Sequence, residues 1–597
     1  MPLDVVDAGK LIVGIVLLII PGYLWSFLFS KTITYIERVV FGFLIGVILF
    51  SVAPYVFNAF FSVALSSDVI LLCYFLYLVP AILFFFILWY RSGKPELRIP
   101  VFITWKNLLL LCLIGFIVFM TFLPHLSMDY YLPFHVDEWV HWSYSRAIMD
   151  AGSVSFPNPY IGGSSPINPE VGFHTFTASL CWWTSCSLLT IFLVMPSIFM
   201  LFLGLTAFCI GQRSEKKFGY EALLLISFIP TTTRYLGPSF YVAVGIGLML
   251  LLFIIWLFQQ ENLILSFLVT PVIWCLSLIH PATAFAGIIV TSVYSLMFLV
   301  ERKLKTAIIT GSTVILACLS LLILLFIPSR WSYAINVFLS SIAGEQYTLG
   351  LPMIFLDFHE LGIITWVLFV IGAYYVITRG KSLQYALYLN AVVFIMIIGL
   401  FSVFGFGIPI VYERSFLYLF LFVSLIAAFS LRELRSILAL MMMKYVPRKL
   451  PRFNRQTAHL VIAVVVTIIL LFTVVPKHLS TPYYKMIKEE EYDSFIWIRE
   501  NIDDYRDANH TYLVGAVHPY KASPFSAVTG LNIVTSSMHP LIRYDLQDDM
   551  QSFLADRARN TSFLVKYKIS VVYGSCDNQN LTMVHPNVYL YTGNYSQ

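Results

Sequence analysis

The apolar segments of this chain repeat at about the length that crosses a bilayer, and this limits its fold more than any other feature. Segment 39–64 (VVFGFLIGVILFSVAPYVFNAFFSVA) has no charge in 26 positions. In hydrocarbon a backbone must satisfy its own hydrogen bonds, so such a run is a helix, and roughly 20 residues suffice for one crossing. Fourteen segments qualify, near 10–29, 39–64, 69–89, 107–123, 187–211, 220–233, 241–258, 264–279, 282–300, 306–327, 361–378, 383–405, 413–431 and 457–475. Composition agrees: 59% of the 597 residues are hydrophobic and 12% charged, a balance no soluble domain has. The expected fold is a polytopic α-helical membrane protein of about 14 spans, closed by a small C-terminal extracytoplasmic α/β domain.

Lys and Arg in the short loops orient the spans. Arg91/Lys94/Arg98/Lys106, Arg213/Lys216/Lys217, Arg302/Lys303/Lys305, Arg379/Lys381 and the run Arg432 to Arg455 alternate with loops poor in them. The basic set is therefore expected in the cytoplasm, and 124–186, 328–360, 406–412 and everything after 476 outside. The net charge of +5 is thus a topology signal and does not point to nucleic acid. Four N-x-[ST] sequons (Asn509, Asn560, Asn580, Asn594) all lie after 476, consistent with an outside location. The N-terminus lacks a basic leader and an A-x-A-like site, so 10–29 reads as a retained span.

Three regions follow: an N-terminal membrane module 1–106, a membrane region 107–476 with the large outside loop 124–186, and the domain 477–597. In the last, EYDSFIWIREN (491–501) reads as a helix, TYLVGAV (511–517) as a strand, and FLVKYKISVVYG (563–574) as a strand after a helix near 545–559. That alternation suggests α/β. No glycine-rich phosphate loop accompanies it. The eight cysteines are scattered, most in apolar segments where they act as small hydrophobes.

The loop 124–172 carries the chemistry. A short helix is expected from His135 to Gly152, with Asp137 and Glu138 in its first turn, where exposed N–H groups favour ionised carboxylates. Asp137, His141 and Tyr144 share one face. An acid pair in an outside loop is usually just solvated; flanks of Phe134, Trp139, Trp142 and Tyr144 favour function here. A carboxylate beside apolar surface can take a proton from a hydroxyl or amide, or hold a divalent cation such as Mg or Mn. The tail 173–183 (FHTFTASLCWW) reads as a helix lying on the surface, with His174 placed to line the same cavity. Arg414, in GIPIVYERSFLYLFLF, opens a late span; a guanidinium there anchors the helix or grips phosphate, and neighbouring Glu413 could neutralise it. His280 reads best as a buried, satisfied histidine. Loop 328–360 offers Asp357, His359 and Glu360 beside Asp137 and Glu138 as metal ligands, although most of its charges should be solvated.

The acid-bearing first large outside loop (HVDEWVHWSYSRAIMDAG), the Pro/Gly-rich stretch after it (FPNPYIGGSSPINPEVGFH) and the alternating spans resemble the GT-C superfamily of integral-membrane glycosyltransferases. The resemblance implies a sugar donor carried on polyprenyl or dolichyl phosphate, a glycan, lipid or protein acceptor, and inversion at the anomeric carbon. It implies Asp137 as base, with Glu138 as neighbour or alternative, and Arg414 on the donor phosphate. Two departures stand out: about four spans precede the loop where the family usually has one, and the C-terminal region lacks a WWDYG motif, which argues against an oligosaccharyltransferase. A flippase of lipid-linked sugars would need ionisable residues along its spans, which are nearly free of them; an assembly scaffold would rest on 477–597 alone.

Overall fold

A computed structural model describes residues 4–28, 33–92, 104–162, 168–232, 235–260, 262–325, 360–404, 407, 409–445, 455–480, 483–502, 513–536 and 546–593. The described helices, in chain order, are α1 (Val5–Trp25), α2 (Tyr35–Phe61), α3 (Ser67–Ser92), α4 (Trp105–Met128), α5 (Val136–Ala151), α6 (Val171–Thr184), α7 (Leu188–Arg213) and α8 (Gly219–Ile226). There follow α9 (Ala243–Gln259), α10 (Leu263–Phe267), α11 (Val269–Ile279), α12 (Pro281–Val300), α13 (Leu304–Leu325), α14 (Ile363–Arg379), α15 (Ser382–Phe404), α16 (Pro409–Tyr445) and α17 (Arg455–Ser480). Among the described residues, eight helices are long and apolar enough to cross a membrane, and five shorter apolar ones accompany them.

The sequence boundaries reappear as caps. Thr34 and Glu37 close a capping box at the start of α2, with the Thr34 N–H donating to Glu37 Oε2 at 2.7 Å. Helices α1 and α2 meet through Gly22 and Gly42: a Cβ on Gly42 would lie 2.5 Å from the Ile19 carbonyl oxygen, so the backbones pack at a distance only glycine permits. Helix α16 packs against α8, α12, α14, α15 and α17, and its stretch 414–431 is buried.

Two segments depart from the sequence reading. Among the described residues of 220–233 the one helix is the eight-residue α8, about 12 Å at 1.5 Å per residue, which is too short to cross. Beyond it Pro230, Gly237 and Pro238 break the helix, and the chain runs through 235–242 as buried non-helical backbone, with Leu236 in the left-handed region at φ 52°. Such backbone is tolerated at membrane depth only when enclosed by protein. Segment 173–183 is helical, as expected, but α6 is no surface helix: it is buried on nearly all sides, against α1, α2, α3, α5 and α11.

The C-terminal region is α/β. Strands β1 (Val514–Ala516), β2 (Asn532–Ile533), β3 (Ile569–Tyr573), β4 (Leu581–His585) and β5 (Val588–Tyr591) form one sheet in the order β2-β1-β3-β5-β4. The first three are parallel; β3–β5 and β5–β4 are antiparallel. Helices α18 (Glu489–Asn501), α19 (Ala522–Thr529), α20 (Gln547–Ala555) and α21 (Thr561–Lys566) accompany the sheet.

This domain docks on the polar loop. The Ile533 N–H donates to the Tyr160 carbonyl at 2.6 Å, Ser526 Oγ to the Pro159 carbonyl at 3.0 Å, and the Tyr130 hydroxyl to the Ile487 carbonyl at 3.0 Å. Arg146 of α5 caps the C-terminus of α19, donating to the carbonyls of Ala527 (3.3 Å), Val528 and Thr529 (3.5 Å); cations are favoured there. Gly530 follows at φ 75°, and a Cβ on it would stand 2.9 Å from Arg146 Nη2. Arg146→Ala should therefore loosen the dock by about 2 kcal/mol, the loss of charge-assisted hydrogen bonds. Hydrogen exchange would then accelerate in 522–533 and not in β3. Unchanged exchange in 522–533 would show that the cap does not hold the domain.

Candidate active site

Helix α5 begins on a double cap. His135 is its N-cap and accepts the Asp137 N–H on Nδ1 at 3.2 Å. The Glu138 carboxylate reaches back: Oε2 accepts the N–H groups of Phe134 (2.9 Å) and His135 (3.1 Å), and Oε1 accepts the Tyr241 N–H at 2.9 Å. Glu138 thereby joins the start of α5 to the chain just ahead of α9. The adjacent acids have separate fates. Burial pushes the Glu138 carboxyl up to about 7, against the pull of three backbone donors, so the ionisation expected of both acids meets a desolvation the sequence does not display. The Asp137 side chain is 41% exposed and 3.8 Å from His135 Nδ1.

One turn on, a cluster forms between α5 and α6. His141 Nδ1 lies 2.9 Å from His174 Nε2 and 3.7 Å from Glu170 Oε2. Asn168 sets the proton positions: its Oδ1 accepts the Glu170 N–H (3.2 Å), which fixes the amide's orientation, and so it also accepts from His174 Nδ1 (2.9 Å). His174 Nε2 thus presents its lone pair to the cluster. Burial depresses both imidazoles, His141 to about 4 and His174 well below its ordinary value, so both are neutral at pH 7 as metal ligands must be. Burial raises Glu170 to about 8, with Arg414 pulling it down and Asp137 pushing it up. Tyr144 packs edge-on to His174 at 5.3 Å.

The far wall comes from the bundle. His280, between α11 and α12, accepts the Thr283 N–H on Nδ1 (3.2 Å) and holds the Thr283 hydroxyl there at 2.7 Å, which leaves Nε2 facing Glu170 Oε1 at 3.7 Å. The Thr283 hydroxyl meets the Tyr418 hydroxyl at 2.8 Å. One turn before Tyr418 on α16, Arg414 donates from Nη1 to the Tyr235 carbonyl at 3.0 Å. That carbonyl lies in the non-helical stretch after α8. The charge of Arg414 bears on Glu170, His141 and His280, and that of Asp137 on Glu170 and His141.

Asp137, His141, Tyr144, His174, His280 and Arg414 are therefore brought to one place, with Glu138 as its brace. Glu413 is half-buried beside Arg414, and Glu360 is half-buried in a short turn. Asp357 and His359 lie outside the described residues. The set of groups able to hold a metal among the described residues is His141, Glu170 and His174, whose ligand atoms lie within 4.8 Å of one another. Glu170 escaped the sequence reading although its signal was there: in PEVGFH, Glu170 and His174 are four apart and share a face once 171–184 is helical.

No family model matches the sequence, and no curated protein does. The fold matches that of the archaeal oligosaccharyltransferase AglB from Archaeoglobus fulgidus, in complex with an inhibitory peptide and a dolichol-phosphate. The TM-score is 0.50 at 12% identity, over 79% of this chain and 70% of that one. The likeness is one of fold: most of this chain follows the path of that structure. A second structure of the A. fulgidus oligosaccharyltransferase, with Zn and sulfate, aligns at a TM-score of 0.47 and 15% identity over 78% and 67% of the two chains. The missing WWDYG motif argues against an oligosaccharyltransferase activity, and a likeness of fold at 12% identity does not bear on that.

The two acids of α5 separate by stability. Glu138→Gln leaves one of three backbone N–H groups facing an amide NH2 and should cost about 1–3 kcal/mol, seen as a lower unfolding midpoint in detergent. Asp137→Asn should leave the midpoint unchanged. Equal losses for both would contradict this division.

Proposed function

We propose that this chain is a membrane glycosyltransferase that moves a sugar from a polyprenyl- or dolichyl-phosphate-linked donor to an acceptor on the outer face of the membrane, with inversion. The observation that carries the reading is that the charges of Asp137 and Arg414 both bear on Glu170 and His141, in a fold like that of AglB. The AglB structure contains a dolichol-phosphate and a peptide, so a lipid-phosphate donor and a peptide among the acceptor classes suit this fold. The excess of Lys and Arg at the opposite ends of the helices supports an outward-facing site.

In the proposed step an acceptor hydroxyl or amide attacks the anomeric carbon from the face opposite the phosphate. The new bond forms as the C–O bond to phosphate breaks, the acceptor proton passes to Asp137, and the bond electrons leave on the lipid phosphate. A base must be unencumbered and reachable, and the exposed Asp137 fits better than Glu138, whose oxygens already serve three backbone donors. Arg414 stabilises the leaving phosphate through guanidinium donors. His141, His174 and Glu170 fit a divalent ion: neutral imidazoles, one lone pair aimed inward by Asn168, and a half-buried carboxyl that would release its proton to the ion. Bound there, the ion would supply positive charge near the departing phosphate oxygens. Two imidazoles favour a transition metal over Mg. His280 and Tyr418 hold the wall against which Glu170 rests.

Purified enzyme with a polyprenyl-phosphate sugar tests this. Asp137→Asn should reduce transfer at least a hundredfold, and Arg414→Ala should act chiefly on donor KM and on the rate of bond breaking. Unchanged transfer by Asp137→Asn would rule the base out. For the metal, elemental analysis of the purified chain should find close to one transition-metal ion per chain, lost in His174→Ala. A metal-free chain with full transfer would dismiss the ion.

A further inference from the structure

A second site opens at the other end of the bundle. The helices sort into two ends: α9 starts beside Glu138 and finishes at Gln259, α12 runs from His280 to Val300, and α7 finishes at Arg213. Where these distant ends meet the start of α15 there is a cavity of about 190 Å³, many times the ~15 Å³ that one water needs. Arg213, Lys303, Lys381, Tyr294, Gln259 and Phe298 are among its walls.

Two buried polar atoms on those walls find no hydrogen-bond partner among the described residues: the Tyr294 hydroxyl and Gln259 Oε1. Tyr294 is 4% exposed, and its ring stacks on Phe258 at 5.3 Å. Gln259 commits its amide nitrogen to the Ile210 carbonyl at 3.2 Å, which turns its oxygen toward a donor it does not meet. Unmet buried polar groups are costly, and a ligand in the cavity would complete these two. The hydroxyl calls for an acceptor, and the amide oxygen for an O–H donor.

Charge says which ligand. Arg213 is occupied, donating to both oxygens of Glu37, while Trp256 Nε1 donates to the same carboxylate at 3.0 Å. Lys303 lies 3.5 Å from Glu301 and 5.9 Å from the Phe298 ring centroid, and Lys381 pairs with Glu215. The three turns at this rim, 213–217, 301–305 and 379–381, carry eight Lys and Arg against Glu215 and Glu301. A basic rim over an aromatic wall at the end of a membrane bundle suits a phosphate with an acyl or prenyl chain beside it. We propose that this cavity holds the phosphate headgroup of an anionic lipid from the leaflet opposite the candidate active site. The Tyr294 hydroxyl donates to a phosphate oxygen, Lys303 and Lys381 supply charge, and a headgroup or phosphate O–H donates to Gln259. The inference rests on membrane embedding alone and stands apart from sugar transfer.

The test is native mass spectrometry of the full chain released from phosphatidylcholine nanodiscs doped with either phosphatidylglycerol or a polyprenyl monophosphate. An Arg414→Ala background removes lipid phosphate held at the other end. One doped lipid should be retained in preference to phosphatidylcholine. Tyr294→Phe, which keeps the stacked ring, should weaken retention about tenfold, the loss of one charge-assisted hydrogen bond; Lys303→Gln should do likewise. Retention of phosphatidylglycerol identifies a bulk membrane lipid, and of the polyprenyl phosphate a carrier lipid. No preference over phosphatidylcholine, equal retention by Tyr294→Phe, or displacement by equimolar inorganic phosphate would overturn the proposal.

Discussion

A carboxylate buried among three backbone N–H groups holds the polar loop onto the bundle. Glu138 accepts from Phe134, His135 and Tyr241, so one side chain closes the first turn of α5 and ties it to the backbone ahead of α9. Without such donors an apolar site would expel a carboxylate. With them, α5 enters the bundle at a fixed angle that leaves Asp137 exposed and sets His141 against His174. Apportioning the two acids is thus a matter of packing: Glu138 is committed to structure while the Asp137 side chain stays open to approach.

The same economy governs the opposite wall. A helix that stops after eight residues leaves carbonyls that lipid could not satisfy. The Tyr235 carbonyl in the stretch beyond α8 is met by Arg414, which makes the guanidinium both a backbone clamp and a fixed positive charge beside Glu170. His280 is held in the same double fashion: Thr283 occupies Nδ1, and the ring's remaining nitrogen turns inward. These groups sit on elements whose positions depend on their own hydrogen bonds, and preorganised charge of this kind is what a group transfer at a lipid boundary requires.

Much of this was legible in the residues. Bilayer-length apolar runs announced the helices, and the acids, histidines and late arginine announced the cluster, because charge in so apolar a chain stands out. The failures have physical causes. Hydropathy could not distinguish a crossing from α8 plus enclosed coil, since both are apolar; only Pro230, Gly237 and Pro238 hinted at the break. Apolar α6 looked like a surface helix because periodicity does not reveal that protein covers both its faces. Glu170 was hidden by its loop setting, and its pairing with His174 appears only once the helix is drawn. In the C-terminal domain the sequence reading names no element at 522–529, where α19 lies with Arg146 at its end.

The account turns on one spatial claim, that Asp137 and Arg414 address the same bound lipid. A cryo-EM structure of the full chain with a polyprenyl-phosphate sugar examines it most directly. The account places the phosphate within hydrogen-bond reach of Arg414 and the Asp137 carboxylate on the far side of the anomeric carbon. A phosphate bound away from Arg414, or an Asp137 that faces no part of the sugar, would contradict it.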